Sequence, residues 1–108
     1  MEMVKRFDLF LLNLDAEVGR QARNTRPCVV ISPDEMNRNL SVVIVAPIAS
    51  DVAELPTRIP VEVLNSTRSV VLDQLRSVDR ERLVQKIGEL DSASRKAVLE
   101  RLQEIFAE

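Results

Sequence analysis

The sequence predicts a small, mainly β protein that ends in an α-helix. Short apolar runs separated by turn-forming residues fill the first two thirds of the chain, and the last third changes to helical spacing. We expect one domain, residues 1–108, because a chain of 108 residues can hide roughly two thirds of the surface that it exposes when unfolded. Five short strands and one packed helix predict a strongly curved barrel.

Five runs have the continuous apolar or alternating pattern of β-strands. They are Phe7 to Leu14, Cys28 to Ile31, Leu40 to Ile48, Thr57 to Val63 and Ser69 to Leu72. Residues Ser32 to Asn39 predict a loop with room for one helical turn, and Pro47 is expected at a strand end or a sheet edge. Residues Asn65 to Thr67 predict a turn. Asp79 to Leu83 is compatible with a helical turn, and Val84 to Leu90 is ambiguous between strand and helix.

The final helix is the clearest predicted element. Apolar residues recur there at helical spacing, while charged residues occupy the other face. The apolar positions are Val98, Leu99, Leu102, Ile105 and Phe106. Asp91 or Ser92 can cap the N-terminus of this helix, and its apolar face is expected to pack on the barrel or on a second copy of the chain.

Composition excludes several kinds of chemistry. The chain has no histidine and one cysteine, so Cys/His metal sites and histidine-based nucleophilic mechanisms are ruled out. With only Gly19 and Gly88, it has no glycine-rich phosphate loop. A carboxylate-only magnesium site stays open from Asp8, Asp15, Glu17 and Asp73, but scattered surface acids are the default, and we expect neither a cofactor nor a metal ion. Cys28 is expected to be a small buried hydrophobe rather than a nucleophile. The apolar runs are shorter than a membrane span and no signal peptide is evident, which predicts a cytoplasmic protein without a membrane partner.

A polar segment from Asp15 to Pro27 is the best candidate for a functional site. It carries Arg20, Arg23 and Arg26 between two apolar runs, on a chain whose formal net charge is only −2. Guanidinium groups suit phosphate ligands, and proline after Arg26 favours an extended backbone that leads into a buried strand. Because aromatic content is only 3%, we do not expect a general single-strand binder that stacks bases on aromatic side chains. Of the kinds of chemistry considered, phosphate chemistry that depends on arginine remains.

Several motifs occur together and in order along the chain. They include TRPCVVISPDEMNR at 25–38, VIVAPI at 43–48, LPTR at 55–58 and VLDQLRSVD at 71–79. With NLD at 13–15 and VG at 18–19, they resemble the MazF/PemK (Kid-like) toxin family. The resemblance implies an SH3-like barrel of the CcdB/MazF-like fold and a growth-inhibiting toxin of a type II toxin-antitoxin system.

The same resemblance implies an activity and partners. The expected activity is sequence-specific, ribosome-independent and metal-independent cleavage of single-stranded RNA, in particular mRNA. The expected partners are a second copy of the chain, in a homodimer, and a MazE-like antitoxin whose C-terminal segment covers the active groove. Operator DNA is expected to be contacted only through the antitoxin.

Carried over residue by residue, the resemblance makes Arg26 the catalytic arginine, which acts in proton transfer and stabilises the charged transition state. We weight stabilisation more heavily, because arginine has a solution pKa above about 12 and is a poor base; the base is left open. The family's catalytic threonine aligns with Ala49. Neighbouring Ser50 is a candidate replacement, provided that the chain has left strand geometry there.

The predicted substrate-binding residues lie in the polar loop, at its flanks and at two strand ends. They are Asn13, Asp15, Arg20, Gln21, Arg23, Thr25, Ala49, Asp73 and Gln74. Gln21 and Arg20 depart from residues common in the family. Asp73 and Gln74 are expected to read base edges or to organise the arginines, and the alternative is that they stabilise a turn. An ion pair between Arg26 and Asp73 is the structural alternative to a functional role of Arg26. Arg76 is interpreted as structural, either solvated or paired with Asp79.

Two alternative functions remain open from the sequence. A catalytically silent member of the family would bind RNA or an antitoxin without cutting, which Ala49 permits. A CcdB-like gyrase poison is the other, because Pro47 to Ser50 resembles a strand end of that family. Gyrase-poisoning relatives depend on an aromatic, glycine-containing C-terminal tail, which the sequence Ile105 to Glu108 does not provide.

Overall fold

The structure is a computed structural model that describes residues 3–16, 18, 23–52 and 54–108. Within these residues the chain forms seven strands, two α-helices and two short 3₁₀ turns. The strands are β1 (Asp8–Asn13), β2 (Thr25–Val30), β3 (Val42–Ala49), β4 (Arg58–Val63), β5 (Ser66–Val71), β6 (Arg76–Asp79) and β7 (Leu83–Glu89). The helices are α1 (Asp34–Asn39) and α2 (Ser92–Phe106), and the 3₁₀ turns are Leu72–Gln74 and Arg80–Arg82.

The strands form one antiparallel sheet that curls into a half-barrel. Its order is β4-β5-β3-β2-β1-β7, and β6 pairs with β3 beside this path. Along one edge, β3 therefore changes partner, from β6 at Val42–Val45 to β5 at Ile48 and Ala49. A curled sheet followed by a C-terminal helix confirms the predicted fold class.

Two apolar clusters lie on the two faces of this sheet, because successive side chains of a strand point in opposite directions. The helix-side cluster contains Phe7, Leu9, Val29, Ile31, Ala46, Ile48, Ile59, Val61, Val63, Val70, Leu72, Leu90 and Val98. The barrel cluster contains Val4, Phe10, Leu12, Cys28, Val30, Val43, Val45 and Val78. Strand β2 supplies both, with Val29 on one face and Cys28 and Val30 on the other. Nearly continuous apolar strands such as β2 are expected where both faces are covered.

The predicted number of five strands is wrong, because β6 and β7 also form within the described residues. The ambiguous segment Val84 to Leu90 lies mostly in β7, and the 3₁₀ turn Arg80–Arg82 accounts for the helical turn expected just before it. Residues 34–39, expected in a loop with room for one helical turn, form the short helix α1. Its Asp34 carboxylate accepts a hydrogen bond from the Arg6 backbone N–H at 2.7 Å, which ties the helix to the N-terminal segment.

Pro47 lies inside β3 rather than at a strand end or an outer edge, so that prediction is wrong. It pairs with Cys28 of β2, and it lies between the residues of β3 that pair with β6 and those that pair with β5. A residue without a backbone N–H is tolerated at such an interruption, because it breaks no continuous ladder. Pro47 is therefore accommodated at the point where β3 changes its partner strand from β6 to β5.

The turn between β4 and β5 is one residue earlier than predicted. Leu64 and Asn65 have φ angles of 54° and 62°, and the flanking Val63 and Ser66 are paired. Two successive residues with positive φ fit a two-residue hairpin of type I′, whose twist matches that of the strands. Ser66 and Thr67, expected in the turn, therefore begin β5.

Helix α2 begins as predicted, with Asp91 as its N-cap. The Asp91 carboxylate accepts a hydrogen bond from the Ser94 backbone N–H at 2.7 Å. Arg95 fixes the helix to the barrel, because its Nε donates to the Leu90 carbonyl at 2.7 Å and its guanidinium lies 5.7 Å from the centre of the Phe7 ring. The packed face is narrower than predicted: Val98 is buried and Leu102 is half-buried. Leu99, Ile105 and Phe106 are exposed. Among the helices described, none has the length and apolar character needed to cross a membrane.

Candidate active site

Arg26 lies where the barrel cluster meets solvent. On β2, alternation places Arg26 on the same face as Cys28 and Val30, and across the strand pair it lies opposite Leu12 of β1. Cys28 is fully buried, whereas Arg26 is exposed. The same strand face thus runs from the core of the barrel to a solvent-accessible guanidinium.

A cavity of about 240 Å³ opens at this end of the barrel cluster. Its apolar walls come from β1, β2, β3 and the residue Leu14 that follows β1, and its polar groups come from three residues. The apolar lining residues are Leu12, Leu14, Pro27, Cys28, Val45 and Pro47. The polar lining residues are Arg26, Gln74 and Arg76, all of them exposed. An apolar pocket with a few polar groups at its rim is the usual form of a ligand site, and such sites occur in the mouths of β-barrels.

Arg76, interpreted from the sequence as structural, lines the cavity. It lies on β6 opposite Val45 of β3, and alternation places it on the same face as buried Val78. Asp79 is on the other face of β6, so the suggested Arg76–Asp79 pair is wrong. The position of Arg76 two residues before an inward-facing valine is a sequence signal that could have identified it as cavity-facing.

Gln74 and Asp73 separate in the structure although they are neighbours in the chain. Both belong to the 3₁₀ turn Leu72–Gln74 that precedes β6. Gln74 lines the cavity, whereas Asp73 is exposed outside its described lining. Within the part of the chain that is described, Arg26 and Asp73 form no ion pair, which removes the structural rival to a functional Arg26.

Asn13 and Asp15 form hydrogen bonds where the polar loop between β1 and β2 begins. Asn13 is buried, and its Oδ1 accepts a hydrogen bond from the Asp15 backbone N–H at 2.7 Å. The Asp15 carboxylate accepts from the Arg23 backbone N–H at 2.8 Å, which links the two ends of the loop. Arg82, in the 3₁₀ turn before β7, also contacts this region. Its Nη1 donates hydrogen bonds to the carbonyl oxygens of Asn13 at 3.1 Å and Asp15 at 2.7 Å. No sequence signal identified Arg82.

The remaining loop predictions have different outcomes. Arg20 and Gln21 lie outside the described residues. Arg23 is exposed at the end of the loop, with its backbone fixed by Asp15. Thr25 is half-buried in β2 opposite Asn13, and alternation places its side chain on the face opposite that of Arg26.

Ala49 lies on the Arg26 face of the sheet. Strands β2 and β3 pair from Val30 with Val45 to Cys28 with Pro47, and the same register continued by two residues brings Arg26 opposite Ala49. Strand β3 extends through Ala49, and Ser50 is the first, exposed residue of the bend that follows. The position aligned with the family's threonine therefore carries a methyl group on the strand, and Ser50 lies beyond the strand end.

The Cys28 side chain is buried, as predicted. Burial raises the pKa of Cys28 to about 12, against the opposing effects of a backbone hydrogen bond with Phe10 and the positive charge of Arg76. A thiol with that pKa stays protonated at neutral pH and is a poor nucleophile. Cys28 thus contributes apolar surface to the cavity. No group of three or more His, Cys, Asp or Glu side chains suited to a metal ion is found among the described residues.

Comparison with known proteins identifies the family. The sequence model of the PemK-like, MazF-like toxins of type II toxin-antitoxin systems matches residues 5–106. The chain belongs to this family. It is also 34% identical to endoribonuclease EndoA of Bacillus subtilis (strain 168), in an alignment that covers 94% of this chain and 92% of the relative. These findings confirm the predicted family and the predicted enzyme class, an endoribonuclease.

Solved structures share the fold. The Mycobacterium tuberculosis toxin MazF-mt6 superposes with a TM-score of 0.76 at 25% identity, over 92% of this chain and 95% of that one. MazF from Deinococcus radiodurans gives a TM-score of 0.79 at 22% identity, over the whole of both chains. A MazE-MazF complex from the same organism gives 0.80 at 21% identity, again over the whole of both chains. The two Deinococcus structures support the fold alone.

Proposed function

We propose that this toxin cuts single-stranded mRNA at a defined sequence, without the ribosome and without a metal ion, and that Arg26 is its principal catalytic residue. The observation that carries the proposal is the exposed Arg26 guanidinium at the rim of an apolar cavity that also presents Gln74 and Arg76. Two guanidinium groups within one groove suit a polyanion such as RNA. Family membership and the similarity to an endoribonuclease give the reaction class.

Metal-free cleavage of RNA requires a base, a proton donor and positive charge at the phosphate. The ribose 2′ oxygen attacks the adjacent phosphorus, so a P–O2′ bond forms as the P–O5′ bond breaks. A base takes the 2′ proton, the departing 5′ oxygen gains a proton, and the products are a 2′,3′-cyclic phosphate and a 5′-hydroxyl. Negative charge grows on the non-bridging oxygens in the transition state, where the forked donors of Arg26 stabilise it.

The surroundings of Arg26 support this role. Its backbone is fixed by pairing with Leu12 on a strand that leads directly into the core. Its side chain is exposed and forms no ion pair within the described part of the protein, so its donors are available to a phosphate. A rigid backbone with an uncommitted guanidinium is the arrangement that transition-state stabilisation requires.

We further propose a homodimer and a cognate MazE-like antitoxin as partners. Membership of a family of type II toxin-antitoxin toxins supports the antitoxin. Exposed Leu99, Ile105 and Phe106 on α2 offer apolar surface of the kind that protein interfaces use. A chain with a formal net charge of −2 is poorly suited to binding duplex DNA alone, which supports operator contact through the antitoxin.

The test compares the purified protein with its Arg26→Ala variant on a long single-stranded RNA in EDTA. Arg38→Ala is the matched control, because Arg38 is an exposed arginine of α1 and is absent from the cavity lining. We expect discrete cuts with cyclic phosphate ends from the wild type and from Arg38→Ala, and no cuts from Arg26→Ala. Equal cutting by all three proteins, or cutting abolished by EDTA, would contradict the proposal.

A catalytically silent member is the second candidate, and Ala49 favours it. The alanine places a methyl group on the Arg26 face where the family has a threonine hydroxyl. This candidate predicts RNA binding without cuts by the wild type, and cuts once Ala49→Thr restores the hydroxyl. A gel-shift assay and the cleavage assay on the same RNA distinguish the two candidates.

A further inference from the structure

We infer that the 240 Å³ cavity binds one nucleobase adjoining the cut phosphate, and that Arg76 selects this base by donating to its carbonyl oxygen. The inference deepens the proposed function and rests on it. Arg76 would then be a specificity-determining residue, distinct from Arg26 at the other side of the same rim.

The size and lining of the cavity suit one flat ring. Its volume lies below the roughly 300–1,000 Å³ of pockets for drug-sized ligands, so it has room for a base rather than a longer fragment. Leu12, Leu14, Cys28 and Val45 give it an apolar floor. A base presents apolar faces and polar edges, which matches an apolar floor with polar groups at the rim.

This chain has few aromatic platforms to offer an RNA base. Phe7 and Phe10 are buried in the two clusters, and the third phenylalanine, Phe106, lies at the far end of α2. The sequence contains no Trp or Tyr. Recognition of single-stranded RNA otherwise uses guanidinium planes and pockets for splayed bases, and the cavity supplies both.

The strand register fixes the two arginines on opposite sides of the floor. Arg76 of β6 lies opposite Val45 of β3, Pro47 of β3 lies opposite Cys28 of β2, and Arg26 of β2 lies opposite Leu12 of β1. A nucleotide whose phosphate contacts Arg26 can therefore place its base across the floor towards Arg76. The positive charge of Arg76 acts at this floor: burial raises the pKa of Cys28, and the charge of Arg76 opposes that rise.

The donor chemistry of Arg76 predicts which bases fit. A guanidinium has five N–H donors and no acceptor, so it recognises a base edge with acceptors. Guanine, uracil and cytosine each present a carbonyl oxygen, whereas adenine presents none. The adenine acceptors N1 and N7 each lie beside the N6 amino donor, which opposes a second guanidinium N–H. Gln74 can either donate or accept and so suits the remaining group on the edge. We therefore expect adenine to be disfavoured at the position that occupies the cavity.

An apolar side chain of a protein partner is the rival occupant of this cavity. It would fill the floor but would leave Arg76 and Gln74 without acceptors, and those groups make RNA the better fit. The rival predicts that changes at Arg76 alter partner binding without altering base preference.

The test is cleavage of a randomised RNA pool, with sequencing of the cut sites, by the wild type, Arg76→Ala, Arg76→Lys and the Arg38→Ala control. We expect the wild type and Arg38→Ala to disfavour adenine at one position beside the cut, by about tenfold or more. Arg76→Ala is expected to accept adenine there. Arg76→Lys is expected to lose most of the selection as well, because an ammonium keeps the charge but not the planar fork. An unchanged base preference in Arg76→Ala, with only a lower rate, would overturn the inference.

A second measurement separates this inference from the proposed function. The same proteins are used to select from a 2′-fluoro RNA pool, which lacks the attacking hydroxyl and cannot be cut. Adenine exclusion in the bound pool that Arg76→Ala removes supports the base pocket even if no protein cuts RNA. No base preference in the pool bound by the wild type overturns it.

Leu14→Phe tests the cavity without changing Arg76. The larger side chain narrows the cavity at its half-buried rim, so we expect a weaker base preference. Thermal denaturation checks that this variant is folded.

Discussion

The two apolar clusters of this protein both consist mainly of aliphatic side chains with one phenylalanine each, but their boundaries differ. The helix-side cluster is closed by α2, whose Val98 is fully buried against it, and Arg95 fixes the start of that helix to Leu90. The barrel cluster opens at one end into a cavity rimmed by Arg26, Gln74 and Arg76. Apolar surface that is closed on all sides contributes to stability, whereas apolar surface left open beside charged groups offers a ligand site.

Strand β2 connects the two regions. Val29 enters the closed cluster, Cys28 enters the open one, and Arg26 emerges at the rim. Changes at neighbouring positions of one strand are therefore expected to have different consequences, for stability in one case and for catalysis in the other.

The largest expected effect is on catalysis at the rim. Arg26→Ala is expected to lower the cleavage rate by about 100- to 1,000-fold, as the loss of a donor to a charged transition state does. Because Arg26 is exposed, the free energy of unfolding should change by less than about 0.5 kcal/mol. Single-turnover cleavage and urea denaturation of the same preparation measure both quantities. A large loss of stability would instead make Arg26 a structural residue.

The next effect is on stability in the closed cluster. Leu9→Ala is expected to lower the free energy of unfolding by about 2–5 kcal/mol, because it leaves a cavity beside Val29 in the helix-side cluster. Cleavage well below the melting temperature should be retained. Leu40→Ala is the control, since this leucine at the end of α1 is exposed outside both clusters and its truncation should cost less than about 0.5 kcal/mol. Equal losses of stability for the two variants would refute the distinction between closed and open surface.

Ala49→Thr is expected to raise the cleavage rate, because it adds a hydroxyl on the Arg26 face of the sheet beside the open end of the barrel cluster. The expected result is a rise in cleavage rate of about tenfold, which is less than the roughly 100- to 10,000-fold that an optimally placed proton-transfer group supplies. Ser50→Ala is measured alongside it in both backgrounds. If Ser50 provides the catalytic hydroxyl in the wild type, Ser50→Ala lowers the rate there and has no effect once Thr is present at position 49. No loss in the wild type would remove Ser50 from the catalytic residues.

The smallest effect concerns the cap of the helix that closes the first cluster. The backbone hydrogen bond from Ser94 to the Asp91 carboxylate lowers the pKa of Asp91. Since the pKa is lower in the folded state, the stabilisation is present above the unfolded pKa of about 4 and is lost as the pH falls through the folded pKa. The difference in melting temperature between the wild type and Asp91→Ala should therefore be largest near neutral pH and should shrink below about pH 4. A difference that grows on acidification would show that the charged cap is not the cause.

Prediction from the sequence succeeded where the information is local. The apolar and alternating runs located the first five strands, Asp91 was identified as a helix cap, and the buried state of Cys28 followed from its apolar neighbours. Prediction missed β6, a short and mostly polar strand that is stabilised by pairing with β3. It left β7 open between strand and helix, because the mixed sequence of β7 becomes a strand by pairing with β1.

The sequence by itself determined the mainly β character, the terminal helix and the place of Arg26 before a proline and a buried strand. Only the tertiary structure decided that Gln74 and Arg76 share a cavity with Arg26, that Ala49 lies on the same face, and that Pro47 lies where β3 changes partner. The physical reason is that periodicity and capping act over a few residues, whereas strand register joins segments far apart in the chain. The site is assembled by register, and its composition becomes visible only in the folded protein.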